Sequence, residues 1–257
     1  MMQIEFGKTV ADYARHRAGF PDALLDRLAT HGVGGVGARL LDLGTGTGSL
    51  ALGFARRGAT VTALDVSPEM LAEVAARAAA DGLNVETVCA GAEATGLGGA
   101  AFDAVVAGQC WHWFDRPRAA AEVRRLLKPG GRLAICHFDW IPLPGNVAAA
   151  TEQLIMQHNP AWDMGGGTGL YPDWLADAAD AGFTDLETFS FDLAIPYSHE
   201  AWCGRIRASA GIGGSLDAPA VAAFDQDHAT MLSRDFPTDP LTILHRASAT
   251  LGTAPRG

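Results

Sequence analysis

An α/β fold with a doubly wound, mostly parallel sheet is expected from three features of this chain. From residue 39 to residue 136, apolar runs of strand length alternate with segments of helical spacing. Glycine or proline punctuates most of the junctions between them. One apolar run, Leu40-Leu41-Asp42-Leu43, passes straight into Gly44-Thr45-Gly46-Thr47-Gly48, a glycine turn that opens a helix. Strands that alternate with helices run parallel, because each helix is the crossover that the next parallel strand needs.

The elements follow in order. After the first strand, residues 50–57 have helical apolar spacing and stop at Gly58; residues 60–64 then alternate as a second strand ending at Asp65. Pro68 suits the first turn of the next helix, Ser67 suits its cap, and the Ala-rich run 69–81 continues to Gly82. Residues 85–89 and 102–107 are the third and fourth strands, and 118–127 is a helix. Lys128-Pro129-Gly130-Gly131 is a tight turn into a fifth strand, 132–136. From 138 to 170 the pattern loosens into prolines, Gly165-Gly166-Gly167, Trp140 and Trp162, which predicts loop and short helix near the site. A helix over 172–181, closed by Gly182, precedes a strand over 184–194, and a last strand covers 241–251. Helices over 200–209 and 219–233 form a cap inserted between these last two of seven strands.

At 257 residues the chain can bury a full α/β core, and one domain (1–257) with elaborations is expected. The core is assigned to 38–137, 172–195 and 241–251, and the insertions 138–171 and 196–240 to a substrate cap. Net charge is −10, with no Lys/Arg-rich run, so the cationic stripe of a nucleic-acid-binding protein is missing. Cys89, Cys110, Cys136 and Cys203 lack any Cys-x-x-Cys spacing and read as reduced thiols of a cytoplasmic protein. No leader-like segment and no apolar run of membrane-spanning length is evident. No His-Glu-x-x-His or acid cluster suggests a metal.

In an open parallel sheet, ligands bind outside the carboxyl ends of the strands, where the strand order reverses. The chemistry is therefore sought at strand ends. Glycines let backbone approach a ligand closely, and Asp42, an acid in an apolar strand, calls for a partner with positive charge or several donors. Asp65 can accept both hydroxyls of a ribose, or can brace the Ser67-Pro68 turn. Val66 and Met70 can sandwich a purine, although Met70 also suits the core. Gly91-Ala92-Glu93 puts backbone donors after the third strand, with Glu93 ordering the loop. After the fourth strand stands Gly108-Gln109-Cys110-Trp111-His112-Trp113-Phe114, whose aromatic faces suit a sulfonium or a flat acceptor. Gln109 is assigned to the ligand. His112 can take a proton near neutral pH, or simply pack between tryptophans. Arg205, Arg207 and His245 could bind an anionic acceptor, the two arginines otherwise lying on solvated surface.

The spacing Gly44-x-Gly46-x-Gly48 after Asp42 departs from the dinucleotide fingerprint, which wants glycine where Ser49 stands. It resembles instead the first motif of class I S-adenosylmethionine (AdoMet)-dependent methyltransferases. Phe102-Asp103-Ala104-Val105-Val106, Trp111-His112-Trp113-Phe114-Asp115 and Leu126-Leu127-Lys128-Pro129-Gly130-Gly131 resemble the branch that includes trans-aconitate methyltransferase-like small-molecule enzymes. Tyr13 through Pro21 is similar to that branch's N-terminal segment, here within 1–37, which folds over the cofactor. The resemblance implies a Rossmann-like seven-stranded sheet with its last strand antiparallel, AdoMet as cofactor, and S-adenosylhomocysteine (AdoHcy) as product. It further implies that Tyr13 covers the sulfonium and Arg17 neutralises a carboxylate. Asp42, Gly44, Thr45, Gly46 and Gly48, then Asp65, Val66, Met70, Ala92, Glu93 and Gln109, would contact the cofactor. Trp111, Trp113, His137 and Trp140 would contact the acceptor, with His112 as base. One departure is Gly91, where related enzymes often carry an acid for the adenine amine. A non-catalytic AdoMet-binding module and a dinucleotide oxidoreductase are the competing readings.

Overall fold

The computed structural model describes residues 19–256; Tyr13 and Arg17 lie outside the described residues. Its sheet has seven strands in the order β3-β2-β1-β4-β5-β7-β6. They are β1 (Arg39–Leu43), β2 (Thr60–Asp65), β3 (Val85–Cys89), β4 (Phe102–Gly108), β5 (Leu127–Trp140), β6 (Thr184–Tyr197) and β7 (Leu241–Thr253). The helices are α1 (Asp22–Thr30), α2 (Ser49–Arg56), α3 (Pro68–Ala80), α4 (Arg116–Leu126), α5 (Val147–His158), α6 (Pro172–Asp180), α7 (His199–Arg207) and α8 (Ala218–Asp235).

β1 pairs in parallel with β2 on one side and β4 on the other, so Asp42 stands opposite Ala63 and Val106 in the middle of the sheet. β2–β3 and β4–β5 are parallel too. The end of the chain reverses direction. Gly131 of β5 accepts from the Ala254 amide just past β7, while Ile141 just past β5 donates to Leu244 within β7, the pattern of antiparallel neighbours. α7 and α8 sit in sequence between β6 and β7, as the spacing predicts.

Two expectations change. Residues 128–131 belong to β5 and are not a separate turn: Gly130 has φ +78°, and the ladder to β4 shifts register between Phe102 and Ala104, so the bend is absorbed inside the strand. The loosely patterned segment after residue 138 contains a full 12-residue helix, α5. Asn146 caps it by accepting from the Ala149 amide at 2.8 Å. Its buried face carries Thr151 and Glu152 beside Val147, Ala148 and Ile155, and those two polar residues hide the helical period.

The chain forms two compact units. The core unit holds Gly19–Phe138, Leu170–Phe191 and the chain from Ala247. Leu41, Leu43, Val105, Leu126, Leu133 and Ile135 pack its centre around Trp111. The insertion unit, in its described residues, holds Asp139–Gly169 and Asp192–Arg246, with Ile155, Trp202, Ile206, Phe224, Leu232 and Ile243 as its centre.

Candidate active site

The glycine turn is built by its sequence. Gly44 and Gly46 have φ +61° and +54°, a region costly for residues with a side chain. A Cβ on Gly44 would come within 2.9 Å of the Cys110 side chain, whereas one on Gly46 would meet nothing within 4 Å. Gly44 is thus demanded by packing, and Gly46 presents open backbone, the cradle that a ligand needs.

Asp42 is 2% exposed, and one of its oxygens accepts from the Thr45 hydroxyl at 2.7 Å and from the Ala51 amide at 3.0 Å. Those bonds tie β1 to the glycine turn and to the first turn of α2. They do not cancel the cost of burial, which, with a smaller push from Asp65, raises the Asp42 pKa from 3.8 to about 7. A carboxyl held in that balance favours a cationic or multiply donating neighbour.

Asp65 closes β2. One oxygen accepts from the Gly46 amide at 2.9 Å and the other from the Ser67 amide at 3.0 Å, so it links the glycine turn to the α3 cap. The cap itself is Ser67, whose hydroxyl accepts from the Met70 amide at 3.2 Å. A carboxylate offers about four lone-pair positions, so two remain for a diol. Val66, next along, is 71% exposed, an apolar face out of place unless something flat covers it. Met70 and Ala92 are buried, so both shape the site from within the core. Glu93 accepts from the Asp115 amide at 2.9 Å, which orders the start of α4.

At the end of β4, Gln109 takes the strained φ of +55°, its amide donating to the Cys136 carbonyl at 2.9 Å and its side chain to the Phe138 carbonyl at 2.7 Å. The next residues form a single 3-10 turn, Trp111–Trp113, which separates their fates. Trp111 is fully buried, its indole N–H donating to Asp177 at 2.9 Å. The expectation that Trp111 touches the acceptor is therefore corrected: its ring is core, and its one polar atom is committed. His112 and Trp113 are exposed and packed together, ring centroids 4.4 Å apart.

His137 is also buried. Its Nε2 accepts from the Trp174 indole at 2.9 Å, and its ring stacks on Tyr171 with centroids 3.8 Å apart. That places the ring proton on Nδ1. His112 lies beyond it, centroids 6.0 Å apart. Tyr171 and Trp174 escaped the sequence reading; an aromatic pair three residues apart around Pro172 is the signal that could have found them.

In the insertion unit, Trp140 donates its indole N–H to Glu152 at 2.7 Å, and the other Glu152 oxygen accepts from the Gly166 amide at 2.7 Å. Arg205 lies over the Trp140 ring, Cζ 4.8 Å from its centroid. The solvated-surface expectation is corrected for Arg205, which is 8% exposed; Arg207, half-buried, pairs with Asp225. His245 is buried against the Tyr197 ring, and burial lowers its pKa to about 4. Among the described residues no group of three His, Cys, Asp or Glu could hold a metal, and no helix is long and apolar enough to cross a membrane.

Comparison with known proteins gives the site its context. Residues 41–135 match the model of a methyltransferase domain. An uncharacterized methyltransferase of Mycobacterium tuberculosis is 40% identical over 134 residues, 52% of this chain and 52% of that protein. The demethylmenaquinone methyltransferase of Thermus thermophilus is 44% identical over 103 residues, 39% of this chain and 47% of that one. The chain spans about half the length of the curated relatives it matches. Among solved structures, a proposed type II methyltransferase from Anaeromyxobacter dehalogenans shares the fold at TM-score 0.68 and 22% identity, over 93% of this chain and 98% of that one. The Haemonchus contortus phosphoethanolamine N-methyltransferase 2, solved with phosphomonomethylethanolamine and AdoHcy, aligns at TM-score 0.58 and 19% identity, over 96% of this chain and 57% of that one. The matched span runs from β1 to β5 and contains Asp42, the glycine turn, Asp65 and the aromatic turn after β4; over that span the chain carries a methyltransferase domain.

Proposed function

We propose that this protein binds AdoMet and transfers its methyl group to a small-molecule acceptor in the cytoplasm, releasing AdoHcy, without metal, nucleic acid or membrane. The acceptor atom is oxygen or nitrogen, with carboxylate or carbon as further candidates. One observation carries the reading: Asp65 braces the open Gly46 turn with one lone pair of each oxygen and keeps the others for a diol. The exposed Val66 beside it fits the same ligand.

The residues divide the work. Asp65 would hold the ribose hydroxyls, with Val66 against the adenine and Met70, Ala92 and Glu93 fixing the surrounding loops. Asp42, Gly44, Thr45, Gly46 and Gly48 would form the seat of the amino-acid part, flanked by Gln109, and by Tyr13 and Arg17 as the resemblance implies. AdoMet brings an already activated methyl group, so the chain's task is to hold a nucleophile in line with it and keep water out; such positioning supplies on the order of 7–11 kcal/mol. His112, exposed beside Trp113, would take the acceptor's proton where there is one to take. His137, buried under Trp174 and Tyr171, would orient the acceptor side through the rings packed around it. The insertions 138–171 and 196–240 would supply acceptor recognition, Trp140 included.

The test is turnover with isotope-labelled AdoMet against a panel of small hydroxyl, amine and carboxylate compounds. One added methyl mass with stoichiometric AdoHcy is the expected result. AdoHcy binding without turnover on any acceptor would leave a binding module and overturn the enzymatic reading.

A further inference from the structure

The insertion unit contains a buried cation that no described side chain meets in an ion pair. Its described residues include four arginines and no lysine. Arg207 pairs with Asp225 at 2.5 Å, Arg246 with Asp192 at 2.7 Å and Arg234 with Asp235 at 2.7 Å. Arg205 is the most buried of them, and its guanidinium makes neither a hydrogen bond nor an ion pair with any described residue. Its guanidinium lies over the face of Trp140. Burial pulls its pKa below the ordinary arginine value, while Asp139 and Tyr197 act on it only through space. Burying a guanidinium costs far more than an aromatic face returns.

The surroundings are held still for a ligand. Glu152 fixes the Trp140 ring through its indole N–H, and Trp202 stands edge-on to it with centroids 5.6 Å apart. Trp202 is held in turn by the Thr151 hydroxyl at 3.0 Å. His245, its Nδ1 directed to the Ile243 carbonyl and its pKa near 4, adds no positive charge at neutral pH. Among the described residues of this unit, Arg205 is thus the one arginine without an ion pair, and it lies in an aromatic setting with the Asp139 acid acting on it through space. Among the described charges, one guanidinium with one acid acting on it suits a singly charged oxyanion better than a dianion.

We propose that Arg205 is an anion-binding residue: its planar fork receives a carboxylate carried by the methyl acceptor, with Trp140 as the platform that holds the fork in place. The assignment rests on the methyltransferase reading for the identity of the ligand, not for the existence of the anion site.

Thermal unfolding of the full chain saturated with AdoHcy tests it, with butyrate, inorganic phosphate and chloride compared at constant ionic strength. Butyrate should raise the Tm of wild type more than phosphate does, and chloride should leave it unmoved. Arg205→Met should unfold at or above the wild-type temperature without added anion, because it removes an uncompensated buried charge. It should keep AdoHcy binding and require at least about tenfold more butyrate for the same shift. If Arg205→Met does not fold, Arg205→Lys keeps the charge without the fork and should still weaken the butyrate response several-fold. A wild-type response to butyrate no greater than to chloride overturns the proposal, as does an unchanged butyrate response in a folded variant. A response to phosphate greater than that to butyrate would assign the site to a phosphate and overturn the carboxylate. Failure of wild type to bind AdoHcy would strike the methyltransferase reading instead, and the anion titration without AdoHcy would still judge Arg205.

Discussion

Asp65 and Gly46, nineteen residues apart in sequence, are joined by a 2.9 Å bond from the Gly46 amide to the Asp65 carboxylate. The acid that is expected to hold a ribose also sets the shape of the turn that would hold the rest of the cofactor. Asp65→Ala should therefore weaken AdoHcy binding by more than about tenfold in calorimetry, and cost roughly 1–3 kcal/mol of stability by stranding two amides. Asp65→Asn, which keeps an acceptor oxygen, should recover part of the stability and little of the affinity. Unchanged affinity in both would move the nucleoside site elsewhere.

Asp42 is the opposite case, a group the fold tolerates at a cost. The folded carboxyl keeps its proton up to about pH 7, whereas the unfolded one releases it near 3.8. Between those values the folded state holds the extra proton, so stability falls as pH rises through that window. Asp42→Asn keeps an acceptor for Thr45 and Ala51 and removes the charge. Chemical unfolding at pH 8 should find the ligand-free variant more stable than wild type by roughly 2–4 kcal/mol, with the gap closing towards pH 4. The same variant should bind AdoHcy more weakly. A variant less stable than wild type at pH 8 would show that the Asp42 charge is already well solvated.

The strand ends were legible because buried parallel strands must be apolar and because glycine marks where backbone turns; β2 begins at Thr60, buries residues 61–64 and ends at Asp65 as its pattern predicts. Asp42 and Asp65 stood out for the same reason, as acids at the ends of such strands. The helix α5 did not, since its inward face needs Thr151 to hold Trp202 and Glu152 to hold Trp140, and those bonds are tertiary. Trp111 and Trp113 look alike in sequence, and only the 3-10 turn sends one inward to Asp177 and the other outward. Arg205 and Arg207 lie on one short helix two residues apart, so they face different directions, and Asp225 answers only the second.

Two buried histidines should dominate the acid limb of stability. Burial lowers the pKa of both His228 and His245 from 6.5 to about 4. The unfolded chain therefore holds an extra proton at each between those values, and stability is lost as pH falls from 6.5 towards 4, by about 1.4 kcal/mol per pH unit for each fully uncharged imidazole. His228→Gln, at the ring that meets the Thr151 hydroxyl, should flatten that slope by about one proton in urea unfolding monitored by tryptophan fluorescence. A slope identical to wild type would show that His228 titrates normally in the folded chain.

His112→Ala separates base catalysis from positioning. His112 is exposed and packed on Trp113, so its loss should leave the fold and AdoHcy affinity unchanged. If the methylated atom carries a proton, kcat should fall by roughly a hundred- to ten-thousandfold. If the methylated atom is a carboxylate oxygen instead, no proton has to leave, and kcat should change by less than about tenfold. Measuring kcat for His112→Ala and KM for Arg205→Met on the same acceptor then decides the chemistry: a large kcat loss in the first with a raised KM in the second means that Arg205 anchors an acceptor whose nucleophile is a different, protonated atom.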